Sequence, residues 1–177
     1  MKSFVALFTL VASAAAQDYF SVMVLRSASP IHYSTLTARG GKFYLGGAGP
    51  SSYCPPEVGD ACPSGNNTVF AGGDETLSLA VVVPGGQQVY IAPDGTMAYT
   101  APHSAYMPYG SIVDGWSKTK GENYYYLNFK DGLVGCPPTV QNQGYQVFGK
   151  IAGFNSTGCL GFSSLALNTT GVGAWEY

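Results

Sequence analysis

The stretch GGKFYLGGAGPSSYCPP (residues 40–56) sets the reading of the fold. It holds an aromatic-aliphatic pair, a Gly-rich break and a second short run. The same succession recurs in QQVYIAPDGTMAYTAPH (87–103) and YYYLNFKDGLVGCPPT (124–139). The pairs are Tyr44-Leu45, Tyr90-Ile91 and Tyr126-Leu127, and ten residues after each tyrosine stands Cys54, Thr100 or Cys136. Read as copies of one unit, the three stretches predict three hairpins related by a threefold pseudo-repeat, the signature of a β-trefoil-like barrel. A β-sandwich is the alternative.

The rest of the chain supports an all-β domain. Short apolar runs rich in β-branched and aromatic residues recur: YFSVMVL (19–25), KFYL (42–45), TVF (68–70), LSLAVVV (77–83), QVYIA (88–92), MAYT (97–100), YYYLNF (124–129), YQVFGKI (145–151) and CLGFSSLAL (159–167). Clusters of Gly, Pro, Asn and Asp separate them, as expected of strands joined by turns. Asp94-Gly95 and Asp131-Gly132 stand between such runs and predict tight hairpin turns. LSLAVVV is continuously apolar and is expected at the centre of the core, ending at Pro84.

The N-terminal MKSFVALFTLVASAAAQ has one lysine, an apolar run from Phe4 to Val11 and an Ala14-x-Ala16 site. It predicts a secretory signal peptide over residues 1–16, cleaved after Ala16, leaving residues 17–177 as one secreted domain. The run is too short to span a bilayer. Charged residues make up only 10% of the chain and the net charge is −2. With no basic run longer than two residues, nucleic acid and anionic membrane are poor partners.

Four cysteines after a secretory leader predict two disulfides. Of the three pairings, Cys54–Cys62 with Cys136–Cys159 is preferred, since the first closes a short loop and the second staples neighbouring strands. The spacing does not match a zinc site. The sequons at Asn66 (NNT), Asn155 (NST) and Asn168 (NTT) predict N-glycans on surface turns.

Residues for catalysis are few. The two histidines, His32 and His103, lie beside Tyr33 and within Pro-His-Ser, and no G-x-S-x-G elbow accompanies them. The paired acids Glu57/Asp60 and Asp74/Glu75 stand in Gly- and Pro-rich turns, as does Asp94. A glycosidase would need two of these carboxylates facing each other across a cleft, about 5–9.5 Å apart. Solvated loop acids are the simpler reading, so no enzymatic activity, metal or other cofactor is expected. The 13 tyrosines and two tryptophans are more suggestive. Tyr106, Tyr109 and Trp116 lie in loop-like sequence, and rings there can stack on the C–H faces of sugars. They form a candidate glycan-binding patch.

LRSASPIHYSTLTARGGKFYLGG (25–47), VPGGQQVYIAPDGTMAYTAPHSAYMPYGS (83–111) and the late GCPP, YQVFGK and GCLGFSSLAL segments (135–167) resemble the PhiA-type fungal cell wall proteins. These include IgE-binding, antigenic wall proteins of moulds. The resemblance spans nearly the whole chain after the leader. It implies a secreted wall protein with roles in phialide and conidium development, hence asexual sporulation, and in stress protection. It carries no catalytic residue. The final GVGAWEY lacks the pattern of a lipid anchor. The expectation is therefore retention by non-covalent contacts with wall polysaccharide or wall proteins.

Overall fold

A computed structural model describes residues 18–177; the leader predicted over residues 1–16 lies outside them. Among the described residues thirteen strands form one antiparallel network, and the only helical turn is a short 3-10 segment at Pro56–Ala61. The strands fall into three successive units. The first holds β1 (Tyr19–Leu25), β2 (Leu36–Arg39), β3 (Lys42–Leu45) and β4 (Phe70–Asp74). The second holds β5 (Thr76–Leu79), β6 (Gln87–Ile91), β7 (Met97–Tyr99) and β8 (Trp116–Lys120). The third holds β9 (Tyr125–Phe129), β10 (Leu133–Cys136), β11 (Tyr145–Gly149), the two-residue β12 (Leu160–Gly161) and β13 (Ser163–Thr169).

In each unit the first and last strands meet: β1 with β4, β9 with β13, and the residue just before β5 with β8 through the Glu75–Trp116 bridge. Neighbouring units join through β4–β5, β8–β9 and β13–β1. These six contacts close a ring of six strands. The inner strands of each unit pair as β2–β3, β6–β7 and β10–β11. The three pairs touch one another through Lys42–Ala98, Tyr145–Leu45 and the Thr96–Phe148 bridge. A six-stranded ring capped by three mutually touching hairpins is the β-trefoil connectivity. The sandwich alternative is thereby set aside.

The threefold order is visible in the core. Alternation along a strand sends every second side chain inward. Val24, Leu79 and Phe129 are equivalent, each buried opposite Ser164, Phe70 or Trp116 on the adjoining strand. One layer further along, Val22, Leu77 and Leu127 repeat the arrangement, opposite Ala166, Gly72 and Lys118. Phe43 completes the core beneath the cap, stacked on Phe70 and edge-on to Tyr99.

The repeat suggested by the sequence is thus real in number but phased differently. Tyr44 lies on the third strand of its unit, Tyr90 on the second and Tyr126 on the first, so the three tyrosines are not equivalent. Only residues 87–103 form the predicted hairpin. There the Ala92 carbonyl accepts from Gly95 N–H at 2.8 Å, and Asp94 Oδ1 accepts from Thr96 N–H at 2.9 Å. Gly95 takes φ +86°, and a Cβ there would stand 2.7 Å from the Phe154 ring. Asp131-Gly132 does form a turn, with Gly132 N–H donating to the Phe129 carbonyl, but its flanking strands β9 and β10 pair with other partners. It turns the chain from ring to cap. After β3 the chain forms no return strand at Cys54. The LSLAVVV run is also shorter as a strand than expected. Leu77 and Leu79 enter the core, whereas Val82 is exposed because residues 80–83 leave the ring to run beside residues 173–175. Residues 159–167 are divided between β12 and β13.

Both disulfides take the preferred pairing. Cys54–Cys62 brackets the 3-10 turn, and Cys136–Cys159 ties the end of β10 to the segment entering β12. A buried polar clasp adds to them. Gln87 Nε2 donates to the carbonyls of Thr100 (3.0 Å) and Tyr177 (2.9 Å), while its Oε1 accepts from Tyr177 N–H at 2.8 Å.

Candidate functional site

The ring has one capped end and one open end, and the open end gathers the polar chemistry. Register decides which side chains reach it. Asn168 pairs with Phe20 and Tyr125 pairs with Ala166, so Asn168 and Tyr125 share the lumen-facing rows of buried residues just where those rows emerge into solvent. A cavity of about 320 Å³ opens there, lined by Asp18, Asp74, Lys118, Tyr125, Ala166 and Asn168. Lys118 is held across it. Its ammonium lies 3.9 Å from Asp18 Oδ2 and 5.3 Å from the centre of the Phe20 ring, with only 17% of the side chain exposed. The ring face and carboxylate both favour the cation, and its aliphatic stem packs over apolar core.

Gly73 makes room for that stem. A bulge displaces the β4–β5 register between Gly72 and Asp74, and Gly73 sits at φ +93°. A Cβ there would stand 2.9 Å from Lys118 Cγ. The resulting mouth offers carboxylate acceptors, ammonium and amide donors, and the face of a phenol. Convergent groups of this kind suit a small polyhydroxylated ligand better than an apolar one.

The predicted aromatic patch divides. Tyr106 and Tyr109 stand on the long β7–β8 connection and are 77% and 103% exposed. Tyr90 lies near Tyr106, and burial, Tyr106 and then Asp94 push its phenol pKa up. Trp116 does not belong to this patch. It begins β8, is 2% exposed and packs against Phe129 with ring centres 5.1 Å apart. The sequence around it, Asp-Gly-Trp, resembles a loop, but the alternation Trp116-Ser117-Lys118 sends its indole into the barrel.

The remaining candidates are dispersed. Glu57 and Asp60 are exposed on the 3-10 turn, Asp94 serves the β6–β7 turn, and Glu75 adopts φ +67° between β4 and β5. Of the predicted acids only Asp74 enters the barrel mouth. His32 Nδ1 accepts from Arg26 N–H at 3.1 Å and its ring stacks on Tyr33; exposed His103 stands in a turn at φ +57°. Among the described residues no three His, Cys, Asp or Glu side chains converge as a metal site. All three sequon asparagines are exposed. Asn155 lies in a turn, where its Oδ1 accepts from Thr157. Asn66 borders a second cavity, of about 290 Å³, whose wall includes Ser21, Thr35, Thr37 and Thr169. Asn168 lies on β13 instead of on a surface turn.

Asp18, Lys118 and Tyr125 escaped the sequence reading. Their signal was the period-two alternation of β1, β8 and β9. It becomes interpretable only when the three units are aligned on Val22, Leu77 and Leu127.

Fold and disulfides together define a doubly stapled β-trefoil of low charge. A family model described as PhiA-like secreted protein matches residues 20–177, and the chain belongs to that family. It is also similar to an uncharacterized secreted protein of Arthroderma benhamiae. The two are 38% identical over 154 residues, covering 80% of this chain and 76% of the relative. No solved structure matches the chain.

Proposed function

We propose that this protein is a non-catalytic component of the fungal cell wall, serving a structural or interaction role in asexual development and stress protection. The observation that carries the non-catalytic part is the dispersal of its acids. Glu57 and Asp60, Asp94, and Asp74 occupy separate elements, and the one carboxylate that shares a cavity with Asp74, Asp18, is ion-paired there with Lys118 at 3.9 Å. A glycosidase pair must instead face one glycosidic bond from two sides. Low charge, two disulfides and three exposed sequons suit a domain that persists in an oxidising, polysaccharide-rich matrix. The wall and developmental role extends what the PhiA-like family suggests. Its partners are wall polysaccharide or wall proteins, held without covalent attachment.

A second reading, a carbohydrate-binding module, is favoured by Tyr106 and Tyr109, whose rings stand free on one loop. The test for both is retention of the secreted protein on insoluble chitin, β-1,3-glucan and mannan, with reduced, unfolded protein as control. Retention lost in Tyr106→Ala and Tyr109→Ala supports the binding module. No retention, with crosslinking to other proteins in intact walls, supports the structural role. Release of soluble sugar from any of the polymers overturns the non-catalytic reading.

A further inference from the structure

Asn168 is oddly placed for a glycan acceptor. Asn66 and Asn155 lie in connecting segments, yet Asn168 occupies the lumen-facing row of β13, directly opposite buried Phe20. Its side chain forms part of the wall of the barrel mouth, beside Asp18, Lys118 and Tyr125. We infer that Asn168 carries an N-glycan whose first sugar seats in this mouth, so that the protein's own glycan closes the open end of the barrel. The inference rests on reading Asn168-Thr169-Thr170 as an occupied sequon and goes beyond the proposed wall role.

The chemistry of attachment is ordinary. Asn168 Nδ2 bonds to the anomeric carbon of a lipid-diphosphate-linked oligosaccharide. The glycosyl–phosphate bond breaks, the amide proton is lost and the lipid diphosphate departs. Transfer to the unfolded chain, before β13 enters the ring, leaves the glycan tethered at the mouth when the barrel closes. There the first residue, an N-acetylated sugar, meets complementary groups. Asp18 and Asp74 accept from its hydroxyls, the Lys118 ammonium donates to its oxygens, and Tyr125 offers an aromatic face. Tyr124, 54% exposed, extends the aromatic wall beside Asn123, Tyr125 and Asn168. Covalent tethering removes the entropy of association, so contacts too weak to hold a free sugar suffice to seat this one.

The test uses the full chain secreted from a glycosylating fungal host. Glycopeptide mass spectrometry reads occupancy at Asn168. Hydroxyl-radical footprinting then compares Tyr125, at the mouth and 42% exposed, with Tyr109, the fully exposed internal control. It is run on the glycosylated protein, on protein trimmed to a single N-acetylglucosamine, and on Thr170→Ala, which removes the sequon and keeps Asn168. Asn168→Gln is the second variant, and cooperative thermal unfolding verifies that each variant folds. The expected result is an occupied Asn168 with Tyr125 oxidation slowed about tenfold against both variants, as for an open state held to roughly 10% of molecules. Tyr109 should be unchanged, and the single remaining sugar should retain the protection. An unoccupied Asn168 overturns the sequon reading. An occupied Asn168 with Tyr125 oxidised as fast as in Thr170→Ala overturns the cap while leaving the glycan in place.

Discussion

Replacing Tyr177 with phenylalanine removes one hydroxyl whose contribution to stability depends on pH in a defined way. That hydroxyl donates to the Asn67 carbonyl and accepts from Val69 N–H at 3.3 Å. Val69 is 4% exposed, so its N–H has no ready access to water once the hydroxyl is gone. An orphaned buried donor costs about 1–3 kcal/mol, and about 2 kcal/mol is expected for Tyr177→Phe near neutrality. Burial, only partly offset by the hydrogen bond from Val69, pushes the phenol pKa up from 10.0 to about 12. The folded state therefore keeps this proton to higher pH than the unfolded chain. The stability that goes with it is full below pH 10 and is lost as pH rises towards 12. At pH 11 the loss is about 1.4 kcal/mol, one pK unit's worth. Urea unfolding of wild type and variant from pH 8 to pH 11, followed by tryptophan fluorescence, measures the difference directly. It should be about 2 kcal/mol at pH 8 and less than half of that at pH 11. Taking the difference cancels the other tyrosines and the lysines. A gap that stays constant over this range, or no gap at pH 8, would refute the role given to the buried hydroxyl.

The two disulfides should contribute unequally. The loop-entropy model assigns about 3.4 kcal/mol to Cys136–Cys159, with its separation of 23 residues, and about 2.5 kcal/mol to Cys54–Cys62, separated by 8. Calorimetry of the two double-alanine variants should show the larger fall in Tm for the Cys136/Cys159 pair, and the reverse order would contradict the model. Trp116→Ala should destabilise by about 3–5 kcal/mol through cavity formation. Trp116→Phe should be much milder, because the buried indole N–H it removes has no acceptor; wild-type denaturant stability of Trp116→Ala would place the ring outside the core. Gly73→Ala should cost about 1–3 kcal/mol, since the new methyl meets Lys118 at a φ that disfavours alanine. An unchanged Tm would speak against the bulge.

Much of the fold is legible in short stretches. YFSVMVL and KFYL become β1 and β3 with the expected ends, because alternating and apolar runs are bounded by Gly and Ser-rich turns. Asp94-Gly95 makes its hairpin for reasons local to the turn. The even count of secretory cysteines leaves three pairings, and loop length selects the right one. What stays hidden depends on contacts distant in sequence. WSKTK carries only one apolar residue, so β8 has no hydrophobic signal of its own and is fixed by pairing with β9 and by Trp116 entering the core. The same event removes Trp116 from the predicted sugar-binding patch and places Lys118 at the mouth. The threefold repeat is legible as a number, but Tyr44, Tyr90 and Tyr126 mark different strands of their units. Inserted segments of unequal length between strands obscure the true alignment on Val22, Leu77 and Leu127. With the phase wrong, Asp18, Lys118, Tyr125 and Asn168 cannot be seen as neighbours.

The barrel mouth gives the fold an asymmetry with a physical origin. The three hairpins cover one end with Phe43, Met97 and other fully buried side chains. At the other end β13 finishes in Asn168-Thr169 and β1 begins beside Asp18, so polar residues replace the next apolar layer. Lys118 bridges the transition, its ammonium set over the Phe20 ring and 3.9 Å from Asp18.

The most direct test of the wall assignment is sequential extraction of washed walls from sporulating cultures, with the protein followed by immunodetection. The account predicts that it co-purifies with washed walls and is then released by hot detergent, as a non-covalently held component would be. Protein found only in the culture medium, or protein that stays in the wall after hot detergent, would contradict it.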